Sequence, residues 1–285
     1  MRERFSIRSF IHIVAPPILY TLIMEICGIL MTFSVILRGF FGASGVFSME
    51  GMGIAATAAA AVINIPILWI MMGRDESRYP SDYRYEKTKT WRLLYAGALG
   101  FFAAAGMNRL LAMLEIDRLF PGYESTEAAL AAVGFWPQII IVGLLVPVAE
   151  ELLFRGVVYE RVKRFMPVAA AAVFCSLFFG VWHGNVTQGI YAFILGLMMV
   201  YVKERYKTLL APVLFHMCAN IFAVLLTKAD AFSEVVTISE LFPAFLVLEF
   251  AVCIVISWRI EEDVHPKKVK KNREWHREEE PVDRI

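Results

Sequence analysis

From Ile11 to Leu37 the chain runs for twenty-seven residues with a single formally charged side chain, Glu25. About 20 apolar residues in helical conformation cover the hydrocarbon of a bilayer, so this run is long enough to span one. Further runs follow it with short connections. Reading each as a helix places about eight spans, at roughly 11–37, 52–72, 92–114, 133–160, 166–184, 188–204, 208–227 and 239–258. The expected fold is therefore all-α, a polytopic membrane helix bundle. Composition agrees: 58% of the residues are hydrophobic and 19% charged, against about 45–50% and about 25% in soluble domains. No stretch is long and mixed enough to build a second core. Residues 1–260 are expected to form one membrane domain, with 261–285 a charged, mobile tail in which Lys267, Lys268, Lys270 and Lys271 mix with Glu278, Glu279 and Glu280.

Arg2, Arg4 and Arg8 precede the first run in the manner of a signal peptide, but the length of that run reads as a retained span. Lys and Arg then alternate between connections. Three occur in 1–10, one in 38–51, six in 73–92, one (Arg118) before the fourth span, three (Arg161, Lys163, Arg164) after it, none in 185–187, three (Lys203, Arg205, Lys207) and one (Lys228). The positive-inside rule makes the rich segments and both termini cytoplasmic. This explains the basic residues by topology and leaves no case for a nucleic-acid partner. The partners expected are membrane lipid and a membrane-associated substrate, and the short loops suit a bacterial plasma membrane. Cys27, Cys175, Cys218 and Cys253 all fall in apolar runs, so no disulfide framework is expected.

Ionisable groups inside such runs are costly and mark chemistry or transport. Three clusters stand out: Glu150 and Glu151 with Arg155, then His183, then His216 with Asn220. Residues four apart share a helix face, so Glu151 can neutralise Arg155, while Glu150 is turned about 100° away and is free to face water. Pro147 marks a possible kink just before the pair. With a turn near Phe165–Pro167, Glu150 and His183 come to similar depths on antiparallel helices and can meet. His216 and Asn220 project from one face, and two donors aimed at one point can hold an oxyanion. Glu25, Asn64, Asn108, Arg109 and Glu249 also lie in or near spans. They could line a cavity, pair with one another or occupy interfaces, and receive no catalytic role.

The spacings E-E-x-x-x-R at Glu150, Glu151 and Arg155, F-x-x-x-H at Phe179 and His183, and H-x-x-x-N at His216 and Asn220 resemble the CAAX-processing and bacteriocin-processing (CPBP, or Abi) endopeptidases. The resemblance is firm over about 120–220, within a motif core of about 133–227. It implies an intramembrane glutamate endopeptidase, a hydrolase in which the positions of Glu150 and His183 activate water and those of His216 and Asn220 form the oxyanion hole. Glu151, Arg155 and Phe179 support that site, and the substrate is a membrane-associated or lipidated peptide or protein.

No cofactor is required by this chemistry, because a carboxylate beside an imidazole can deprotonate water unaided. The alternative is zinc on Glu150, His183 and His216, although the chain has no H-E-x-x-H helix. Two rival functions use the same residues: a transporter relaying protons or ions, and a non-catalytic immunity or scaffold protein that binds a peptide without cutting it.

Overall fold

The structure, a computed structural model, describes residues 4–40, 49–78, 90–120, 133–228 and 241–264. Among these the regular elements are all helical. The main helices are α1 (Ile7–Phe40), α2 (Met49–Arg78), α3 (Leu93–Met113), α4 (135–162), α5 (Val168–Trp182), α6 (Val186–Tyr206), α7 (Leu210–Lys228) and α8 (Phe242–Val264), with a single extra turn at Ile116–Leu119. Six of them, α1, α2, α3, α6, α7 and α8, are long and apolar enough to cross a membrane. The protein is an integral membrane protein.

The remaining two main helices depart from a plain span for local reasons. Pro167 precedes α5, and the chain turns out of the helix at Gly184, whose φ of 75° suits a residue without Cβ. Asn185 then caps α6, its side chain accepting from the Gln188 N–H at 2.8 Å. The result is a fifteen-residue helix, shorter than the expected 166–184.

Helix α4 is unbroken but contains two π-type stretches, Ile139–Leu145 and Leu152–Val158. Pro147 has no N–H to give, so carbonyls one turn before it lose a donor; at this point the Val146 N–H reaches back five residues to Ile141. The freed oxygen of Val142 accepts instead from Asn220 Nδ2 on α7, at 2.9 Å. In the second stretch Lys203 Nζ of α6 donates to the Arg155 carbonyl at 2.9 Å. Each irregular stretch thus carries a side-chain donor from another helix, the situation in which π turns and kinks are expected.

Packing relies on small residues, as it does where lipid removes the hydrophobic drive for helix association. Helix α3 makes its most extensive contact with α7. A Cβ added at Gly100 would lie 2.1 Å from the Phe215 carbonyl oxygen, so the two backbones touch there. The α5–α6 hairpin closes similarly at Gly180, where a Cβ would meet Gly189 O at 2.6 Å. Helices α1 and α8 are peripheral, burying only 11% and 17% of their most apolar windows.

One end of the bundle gathers the basic connections. Arg161 Nε pairs with Asp75 at 2.6 Å and its Nη1 donates to the His12 carbonyl, tying α4 to α2 and α1. Lys163 binds Glu204 at 3.1 Å and Lys203 binds Glu160, tying α4 to α6. Arg92 lies 3.6 Å from Asp263 and Arg205 2.6 Å from Glu261, bringing in α3 and α8. Helix α8 runs to Val264, so the first residues of the expected tail are helical and ion-paired; 265–285 lie outside the described residues.

Candidate active site

A cavity of about 250 Å³ lies among α3, α4, α5, α6 and α7, and Glu150, Phe179, His183, His216 and Asn220 all line it. Glu151 and Arg155 are fully buried behind its wall. The sequence-derived set is therefore brought together around one chamber.

Glu151 is the hub. Its Oε1 accepts from Arg155 Nη1 at 2.8 Å and from His216 Nδ1 at 2.9 Å, while Oε2 has no partner among the described residues. Arg155 donates further to the Gly196 carbonyl at 3.3 Å and stands over the Phe179 ring, 4.4 Å from its centroid. The i, i+4 ion pair read from the sequence is present, and its carboxylate also orients an imidazole on α7. With Nδ1 donating to Glu151, His216 presents Nε2 to the chamber, where Glu150 Oε2 stands 3.6 Å away. That separation exceeds a hydrogen bond.

His183 faces the same chamber from the end of α5. Its Nδ1 lies 2.8 Å from the Phe179 carbonyl oxygen, which can only accept, so the ring donates there and Nε2 is left towards the cavity. Phe179 packs edge-on against both imidazoles, with centroid distances of 4.8 Å to His183 and 5.7 Å to His216. Similar depth in the hairpin predicts Glu150 beside His183; both reach the chamber, but the imidazole within ion-pairing distance of Glu150 is that of His216. Asn220 spends one amide proton on Val142 O and keeps its second.

Among the described residues no three His, Cys, Asp or Glu side chains converge closely enough to hold a metal ion. Glu150, His183 and His216 as placed therefore do not form a ready-made zinc site.

Further polar residues line the chamber that the motifs did not include, among them Gln138, Thr187 and Tyr191. Gln138 is 1% exposed, and a carboxamide inside an apolar run is a signal that could have flagged it. Asn108 also lines the chamber, 3.5 Å from the Tyr191 hydroxyl. Arg109 and Glu249 pair with one another through two bonds of 3.1 and 3.0 Å, with the guanidinium against Phe242 and Phe245.

Residues 132–222, which hold every one of these motif residues, match the family model described as type II CAAX prenyl endopeptidase, Rce1-like. Over those residues the chain is similar to the CAAX/CPBP endopeptidases. Of the curated proteins, the chain is similar to one described as "Putative membrane peptidase YdiL" from Bacillus subtilis (strain 168), with 28% identity over 134 residues, 45% of this chain and 53% of that protein. The aligned part thus spans about half the length of the curated relative. No solved structure matches significantly. The matched segment spans α4 to α6 and most of α7, the helices that supply the two glutamates, both imidazoles and the carboxamide.

Proposed function

We propose that the protein is an intramembrane endopeptidase that hydrolyses a peptide bond of a membrane-associated or lipidated peptide by glutamate-based, metal-free catalysis. The observation that carries this reading is the placement of a half-freed carboxylate, Glu150, 3.6 Å from an imidazole whose other nitrogen is held by a buried ion pair. The match of residues 132–222 to the CAAX prenyl endopeptidase family model and the similarity to a protein described as a putative membrane peptidase support it.

In the proposed reaction a water held at Glu150, with His183 Nε2 at the same chamber, gives its proton to the carboxylate as its oxygen bonds to the peptide carbonyl carbon. The carbonyl electrons move onto oxygen. That oxyanion is met by the second Asn220 amide proton and by a proton on Nε2 of His216, whose ring the Glu151 carboxylate holds at Nδ1. Glu150 then passes its proton to the leaving nitrogen, the C–N bond breaks, and a carboxylic acid and an amine depart. Arg155 gives Glu151 a buried ion-pair partner away from lipid.

The test begins from cells expressing the parent chain or Glu150→Gln. Membrane peptides that accumulate only with the variant are synthesised and offered to both purified proteins. Cleavage by the parent and none by a monodisperse Glu150→Gln protein is the expected result; equal rates would refute the assignment.

A further inference from the structure

The chamber does not run through the bundle. Its lining on α6 lies in the first two thirds, from Thr187 to Met199, and on α7 it runs from Phe215 to Thr227, with Asn108, Leu111 and Ala112 at the end of α3. At 1.5 Å per residue the eleven steps from His216 to Thr227 cover about 16 Å, so the site sits deep while its walls reach the end remote from the basic connections. Towards the basic end the same helices are solid: Leu153, Phe154, Val157, Val158, Val202 and Ala211 are all 0% exposed. Above that layer come the ion pairs of Arg161, Lys203 and Glu160.

The two ends differ sharply in charge. The connections tied together at the solid end carry fifteen Lys and Arg, in 1–10, 73–92, 161–167 and 203–209. Those at the other end carry three, Arg38, Arg118 and Lys228. Such an excess over short loops sets the solid end on the cytoplasmic side.

We propose that the chamber is loaded from the extracytoplasmic side, and that its substrate is a peptide segment presented at the outer surface or in the outer leaflet rather than a cytoplasmic tail. The direction of access follows from packing and charge alone; the substrate class rests in addition on the peptidase reading. An enzyme arranged this way acts on chains after export, so the reaction supplying its substrate is translocation or external anchoring of a peptide.

Cysteine accessibility tests the direction without any turnover. Thr227→Cys at the chamber rim, Ala223→Cys one turn deeper, Gln188→Cys on the facing α6 and Lys207→Cys at the basic end are each introduced into the full chain. A charged, membrane-impermeant thiol reagent is applied to bacterial spheroplasts before and after permeabilisation, with the parent and its four natural cysteines as background and gel filtration in detergent as the check on folding. Labelling of the Thr227, Gln188 and Ala223 variants in intact spheroplasts, and of Lys207→Cys only after permeabilisation, is expected. Lys207→Cys labelled in intact spheroplasts overturns the orientation. Chamber cysteines labelled only after permeabilisation, or in neither state, overturn the access route.

A peptide identified through Glu150→Gln is then added outside right-side-out or inverted vesicles, with cleavage expected only in the former. Cleavage confined to inverted vesicles overturns the substrate class. The expected labelling with no cleavage in either leaves the route standing and overturns the peptidase reading.

Discussion

Replacing Arg155 by Met should unfold more of the protein than any exposed substitution, and the structure sets the scale. The guanidinium is 0% exposed and supplies one of the two bonds to Glu151, itself 0% exposed and with one oxygen already unpartnered. Truncation leaves a buried carboxylate with only His216 beside it. Breaking a buried pair from one side costs about 3–5 kcal/mol, about two to nearly four orders of magnitude in the folding equilibrium at about 1.4 kcal/mol per tenfold. Adding Glu151→Gln removes the stranded charge and should recover a large part of that loss, because Gln still accepts from His216. The assay is reversible unfolding in mixed micelles for the parent, both single variants and the double. A loss below about 1 kcal/mol for Arg155→Met, or a double variant as unstable as the summed singles, would refute the account of Glu151 and Arg155 as one coupled unit.

Other perturbations separate chemistry from scaffolding. Glu150→Gln should keep the parent's thermal stability and lose about 10²–10⁴ in turnover, the range for a general base, as read by melting and by initial rates on one verified peptide. Asn220→Asp, which cannot donate, should lower kcat by about 10²–10³ and also destabilise the fold by leaving Val142 O without its donor; unchanged kcat would remove Asn220 from oxyanion binding. Gly100→Ala should cost about 1–3 kcal/mol by overpacking, because its Cβ meets backbone at Phe215, the residue before His216; a neutral effect on the melting temperature would show that α3 and α7 do not touch as described. Prolonged chelation followed by metal-free dialysis should leave peptidase activity intact, and activity lost then restored by zinc would overturn the metal-free mechanism.

Much of the bundle was legible in the sequence because hydrocarbon imposes a length on every span. The Glu151–Arg155 pair and the shared face of His216 and Asn220 were legible too, since both are local consequences of helical spacing. What a single sequence does not reveal is which helices touch. The bond from His216 to Glu151 joins residues 65 apart and the pairing of Arg109 with Glu249 residues 140 apart, and neither follows from spacing. Depth in an idealised hairpin pointed Glu150 towards His183, but depth fixes only one coordinate, and the packing of α7 against α4 puts His216 nearer. Pro147 signalled a disturbed helix, yet the identity of the donor that answers its missing N–H depended on α7 lying alongside.

That donor is Asn220, and its position has a thermodynamic corollary for any guest in the chamber. A peptide that draws the whole carboxamide towards itself strips the Val142 oxygen of its bond at a depth where water is scarce, a penalty of about 1–3 kcal/mol. A guest that engages only the spare proton incurs none of it. Ligands should therefore sort into those that leave α4 undisturbed and those that must loosen its proline-weakened turn, the second group binding roughly five- to a hundredfold more weakly for the same contacts.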